Sequence, residues 1–183
     1  VVMRSKGIMV VGFAPITDSA GNKYYPGKEQ GVEIGDLIMR VDDASVSTET
    51  DLARIIDDKK GQTVQLSINR RGKNIIIPIK PMHCSETERY RIGLYVRDGV
   101  VGVGTLTFWD PETRNFGALG HIIVDADTKQ GIKVLQGKVV SASIQSIKPG
   151  VPGRPGEKIG VFNDNGPVQG NIIKNSDCGI FGQ

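Results

Sequence analysis

Apolar positions along this chain fall mostly into short runs and two-residue alternations, the periods of strands, and only one stretch has the spacing of a helix. Gly7-Ile8-Met9-Val10-Val11-Gly12-Phe13 predicts a buried strand, and a polar excursion through Asp18, Gly21, Asn22 and Gly27 follows it. Gly31-Val32-Glu33-Ile34-Gly35-Asp36-Leu37-Ile38-Met39-Arg40-Val41-Asp42 then sets an apolar turn, an aspartate suited to cap backbone amides, and a strand in immediate succession. Leu52, Ile55 and Ile56 share one face of a helix that Ser47 or Thr48 can cap and that Lys59, Lys60 and Gly61 suit at its end. Val64, Leu66 and Ile68 alternate, Arg71-Gly72 turns, and Ile75, Ile77 and Ile79 alternate back as a hairpin. Pro78 assigns that last strand to a sheet edge.

Met82-His83-Cys84-Ser85-Glu86-Thr87-Glu88-Arg89 is polar and aperiodic, which predicts a linker over residues 83–91 between a domain at 1–82 and another at 92–183. Beyond it the pattern predicts short strands at Ile92–Val96, Val100–Trp109, Phe116–Val124, Val134-Leu135, Val139–Ile147 and Ile172-Ile173. Asp110–Asn115, Lys148-Pro149-Gly150 and Asn163-Asp164-Asn165-Gly166 punctuate them as turns, a spacing that suits a small antiparallel barrel.

Composition sharpens this reading at three points. Twenty-four glycines and nine prolines with 5% aromatic residues favour an all-β chain with many tight turns. A net charge of +3 is too mild for a nucleic-acid or membrane-surface binder, so no nucleic-acid partner is expected, and no apolar run is long enough to span a bilayer. The start at Val1 leads us to expect an excised fragment with any targeting or anchoring segment upstream. Cys84 and Cys178 leave open a disulfide, a pair of free thiols, or no special role.

The chemistry concentrates at Phe116-Gly117-Ala118-Leu119-Gly120-His121-Ile122-Ile123-Val124-Asp125, where one of only two histidines ends a small-residue, strand-like run. An imidazole in such a crevice is suited to act as a general base, yet no Gly-x-Ser-x-Gly or Gly-x-Ser-Gly elbow follows it. Asp125 and Asp127 are placed either to orient the ring or to cap the turn to Thr128, and the turn is the preferred reading. A Cys178–His121 thiol pair lacks any sign of an activated thiol. Gly102-Val103-Gly104 and the proline-rich Gly150–Gly156 lack the pattern of nucleotide loops, and the two histidines and two cysteines have no zinc-like spacing. No metal and no cofactor are expected.

The order strand, Gly-x-x-x-Gly-Asp-x-Ile, strand, capped helix, hairpin over residues 1–82 resembles a PDZ domain of the bacterial protease-associated kind. The resemblance implies a peptide added beside a sheet edge, here Val1, Val2 and Met3 with Arg4, against the helix carrying Leu52 and Ile55, with its carboxylate loop upstream of Val1. Plain core packing is the competing role for Leu52 and Ile55. Ile92–Asp98, Gly102–Phe108, Gly117–His121, Pro155–Lys158 and Gly179–Gly182 together resemble the stage IV sporulation protein B peptidase family, in which a PDZ domain precedes a trypsin-like catalytic domain. That likeness spans essentially the whole chain. It implies a mainly β fold with one clear helix, in which an N-terminally truncated PDZ domain is followed by a β-barrel half of the peptidase, truncated at its C-terminus. His121 then stands at the catalytic histidine, and the serine and the acid lie outside the chain. It further implies peptide or protein substrates, a membrane-bound regulatory protein among them, self-processing, and export to the space between mother-cell and forespore membranes. A non-catalytic PDZ module that only binds or scaffolds peptides is the alternative.

Overall fold

The computed structural model describes residues 1–125, 127–162 and 167–183, so the turn expected at Asn163–Gly166 lies outside the described residues. The chain is mainly β with one helix of more than a single turn, and its contacts divide it into two compact units. One comprises residues 5–98 with 127–130, the other residues 1–4, 99–125 and 131–183.

In the first unit, β1 (Val2–Phe13) joins the expected Gly7–Phe13 strand and the preceding residues into one continuous strand. It is followed by β2 (Ile16–Thr17), β3 (Lys23–Tyr24), α1 (Pro26–Glu29), β4 (Leu37–Val41), β5 (Ala44–Ser45), α2 (Glu49–Asp58), β6 (Val64–Arg70) and β7 (Lys73–Ile79). The sheet runs β1-β4-β6-β7, with β5 on β4 and β10 (Leu94–Val101) on β1. β7 has a single neighbour in that order, as Pro78 requires. The β6–β7 hairpin closes through Arg71 and Gly72, both at positive φ (50° and 86°), the geometry of a two-residue turn whose twist matches its strands. Thr48 caps α2, its side chain accepting from the Asp51 N–H at 3.0 Å.

Alternation then does its work. Val64, Leu66 and Ile68 of β6, with Ile77 and Ile79 of β7, point to the face that α2 covers through Leu52 and Ile56, and all are buried. Each such aliphatic side chain contributes about 1.5–3 kcal/mol of transfer free energy. Asp36, fully buried, anchors the glycine-rich turn: its Oδ2 accepts the Glu33 N–H at 2.9 Å, and Arg70 donates from Nε to Oδ1 at 2.7 Å and from Nη2 to Oδ2 at 2.8 Å.

The stretch expected as a linker at 83–91 is instead folded. Residues Met82–Cys84 (β8) and Arg89–Arg91 (β9) pair antiparallel, the Tyr90 N–H donates to Asp57 of α2 at 2.9 Å, and Ile92 joins the core of the first unit. The physical reason is that a two-stranded ribbon needs only local pairing and a neighbour to lean on, which leaves no long periodic signal.

In the second unit, β11 (Phe108–Trp109), β12 (Phe116–Leu119), β13 (Val134–Val140), β14 (Ala142–Lys148), β15 (Glu157–Phe162), β16 (Val168–Ser176) and β17 (Gly179–Gly182) are all antiparallel to their partners. The sheet order is β11-β12-β17-β16-β13, continued by the start of β1. Met3, Phe116, Ile172 and Ile180 are buried there, whereas every residue of β14 in the separate β14–β15 ribbon is exposed.

Candidate active site

His121 is delivered by the end of β12. The strand lies between β11 and β17, with Phe116 opposite Trp109 on one side and Gly182 on the other. Thr107 ties it twice, donating its N–H to the Gly117 carbonyl and accepting the Leu119 N–H on Oγ1, each at 2.9 Å. The Gly120 N–H donates to the Cys178 carbonyl at 3.1 Å, and the ladder stops there. The next residue leaves the sheet with its side chain in solvent.

Nδ1 of the exposed ring lies 3.0 Å from the carbonyl oxygen of Ile122, which can only accept, so a hydrogen bond there has Nδ1–H as donor, and in the neutral ring the lone pair then sits on Nε2. That is the tautomer a general base needs. The loop beyond is pinned by Asn175, whose Oδ1 accepts the Ile123 N–H at 2.9 Å while Nδ2 donates to the carbonyls of Ile123 at 2.8 Å and Ile132 at 3.1 Å. The Ile132 N–H closes back on the Ile123 carbonyl at 3.1 Å, and a bridge joins Val124 to Gly131. Truncating Asn175 to alanine removes the partner of the Ile123 N–H and of the Ile132 carbonyl in a half-buried site, while the Ile123 carbonyl keeps the Ile132 N–H. It is expected to cost about 2–3 kcal/mol, and faster amide exchange at Ile123 and Ile132, compared with Thr107, is the measurement that checks it.

The candidate acids part ways. Asp125 is wholly buried, and Asp127 pairs with Arg97 at 2.8 Å. The carbonyl of Ile122, a group no sequence pattern advertises, is the partner of the imidazole. Cys178 is exposed and Cys84 buried, both as free thiols. Among the described residues no three histidine, cysteine or acidic side chains converge as a metal site, and no helix is long and apolar enough to cross a membrane.

The peptide-binding candidates are distributed across the two units. Val1, Val2 and Met3 belong to the second, where Met3 is buried. Leu52 and Ile55 belong to the first: Leu52 is buried in the core and Ile55 packs half-buried against it. Within the first unit, the stretch bordering α2 across a hollow is Arg89–Val96. Asn175, Thr107 and that stretch escaped the sequence reading, because each acts through main-chain hydrogen bonds or packing that only the fold creates.

Comparison with known proteins matches residues 88–183 to the SpoIVB peptidase S55 family and residues 2–80 to the PDZ domain. Among solved structures, the crystal structure of the PDZ domain of the SdrC-like protein from Listeria monocytogenes is similar at 22% identity, covering 50% of this chain and 87% of that one, with a TM-score of 0.40. No curated protein matches. With the peptidase match extending over more than half of its residues, this chain belongs to the SpoIVB peptidase S55 family and joins a PDZ domain to its peptidase segment.

Proposed function

We propose that the chain is the peptide-binding and base-carrying part of a sporulation serine endopeptidase, with His121 as the general base. A serine and an acid from outside these residues complete the triad in this reading. The observation that carries it is the setting of the ring: an exposed imidazole at the end of β12 with Nδ1 3.0 Å from the Ile122 carbonyl oxygen. In the reaction Nε2 takes the proton of the serine hydroxyl as its oxygen attacks the scissile carbonyl. It then returns that proton to the leaving amine. In the assembled triad of this reading the acid takes the place of the Ile122 carbonyl on Nδ1, because a carboxylate stabilises the imidazolium more than a neutral carbonyl does. The PDZ domain presents peptide segments to this centre, including a segment of the protein itself during self-processing and a membrane-bound regulatory protein in the space between two membranes.

A fluorophosphonate probe tests the nucleophile directly. Mass spectrometry is expected to find no adduct on any residue of the present chain and a single serine adduct in the protein extended beyond Gln183. An adduct within residues 1–183 would mean that the nucleophile is internal and would overturn the assignment.

A further inference from the structure

The loop that follows His121 does not stay within its own unit. Its neck closes in the second unit, where Val124 bridges to Gly131 and the Ile132 N–H returns to the Ile123 carbonyl at 3.1 Å. Beyond the neck, residues 127–130 belong by their contacts to the first unit. Asp127, Thr128 and Gln130 fasten them there. Asp127 Oδ2 accepts from Arg97 Nη2 at 2.8 Å, Thr128 Oγ1 donates to Met9 Sδ at 3.1 Å, and the Gln130 side chain lies over Gly35, where a Cβ would collide with its Nε2. Lys129 between them is left-handed (φ +58°), a conformation that persists where its flanks are held. The platform under Gln130 is firm, because Asp36, next to Gly35, is fully buried and bonded twice to Arg70.

Each attachment is weak by itself. The Arg97 and Asp127 side chains are partly exposed, and such a pair contributes little to stability. What the attachments fix is a position, since bonds from three of four consecutive residues leave the segment few ways to shift. Gly131 follows directly and packs against Ile122: a Cβ on it would lie 2.7 Å from Ile122 Cδ1. Ile122 is the residue after His121, and its carbonyl oxygen lies 3.0 Å from the ring. A displacement of Gln130 therefore reaches the imidazole through Gly131 and Ile122, every step being a covalent link or a close contact, and close-packed groups transmit displacement instead of absorbing it.

We propose that Asp127 and Gln130 are positioning residues for the peptidase reaction: seated on Arg97 and Gly35 of the first unit, they hold the loop beside His121 so that its imidazole comes within hydrogen-bond reach of the serine hydroxyl. Gly35 lies within the PDZ match at 2–80, so the glycine-rich turn of that domain serves the general base of the peptidase and not only its own fold. The proposal deepens the base-carrying half of the proposed function and rests on His121 being the base. Neither residue touches the reacting atoms or the substrate. Their loss is therefore read in kcat and not in KM.

The test uses the peptidase that carries its serine. Asp127→Asn with Gln130→Ala is expected to lower kcat for peptide hydrolysis about tenfold and to leave KM within about twofold, since a misplacement of about 1 Å at a reacting group can cost about 100-fold. The thermal transition should stay in place, because neither side chain is buried. Arg97→Ala should match Asp127→Asn alone, and Arg97→Lys, which keeps a cation beside Asp127, should retain most of the activity. A second readout needs no turnover: in the present chain, Gln130→Ala should shift the NMR resonances of Gly131, Ile122 and the His121 ring. Unchanged kcat in the double variant would overturn the proposal, as would shifts that stop at Gly131. A fall in kcat that comes with a lowered thermal transition would make the segment a structural clasp and overturn positioning. A silent His121→Ala beside an unimpaired double variant sinks this proposal alone, whereas full activity in His121→Ala sinks the base assignment and the proposal with it.

Discussion

Replacing His121 by alanine in the peptidase that carries its serine partner is expected to lower kcat/KM for peptide hydrolysis by between about 10^4- and 10^6-fold. The size of the loss follows from the role: without Nε2 the hydroxyl keeps its proton, and only binding and oxyanion stabilisation remain. KM should change little, since the exposed ring acts on the reacting atoms and is not among the residues lining the hollow beside α2. The self-processing proposed above should cease with hydrolysis while the thermal transition stays where it was. His83, the other histidine, stacks edge-on against Tyr90 at 5.3 Å, and its alanine variant serves as the control with activity unchanged. If His121→Ala retained processing, the ring would be a surface group and the proton acceptor would lie elsewhere.

The largest stability effect is expected at Arg70. Its guanidinium makes two parallel bonds to buried Asp36, a further one to Glu33 Oε1 at 2.7 Å, and a fourth to the Gly31 carbonyl at 2.7 Å. The bonds to Asp36 are the first cause of the raised pKa of Arg70, which is charged throughout the working range. Arg70→Ala strands a carboxylate with no exposure to water, and loss of one partner of a buried pair costs about 3–5 kcal/mol. Arg70→Lys should recover only part of this, because an ammonium cannot form the two parallel bonds of the fork. The midpoint of urea unfolding checks both variants. A loss below about 1 kcal/mol, the range of an exposed ion pair, would mean that the Glu33 N–H alone keeps Asp36 satisfied.

Much of the first unit could be read from residues. Val64, Leu66, Ile68, Ile77 and Ile79 announce their strands because one face of each is buried, and Thr48 announces the helix because its first amides need a side-chain acceptor. The second unit was less legible. A strand was expected from Val100 to Trp109, yet β10 ends at Val101 and β11 is only Phe108–Trp109, since Gly102 and Gly104 weaken an extended run. Conversely, the expected Val134-Leu135 extends to Val140 through Gly137, whose missing side chain leaves room for Ile172 and Met3. At the candidate site, the small-residue setting of His121 stands out in the sequence. The Ile122 carbonyl was not legible, because a main-chain acceptor leaves no mark in the residue pattern, and Asn175 was not, because its bonds to Ile123 lie 52 residues apart in sequence and are made by the closed chain.

The burial of Ile92 in the core of the first unit bears on how such proteins can be rearranged in evolution. PDZ domains are often treated as interchangeable cassettes, and the two sequence matches invite a cut between residues 80 and 88. A cut there removes Ile92 from among Leu52, Ile56 and their neighbours, with Leu94 and Val96 beside it. The vacancy of one buried isoleucine is worth about 2–5 kcal/mol, a large part of a small domain's stability. Recombination at that seam would hand a new host an incompletely filled domain and leave the peptidase with a bare apolar strand. The unit that can be inherited intact carries its neighbour's first strand with it, so that in this chain the domain border drawn by sequence and the one drawn by packing are different places.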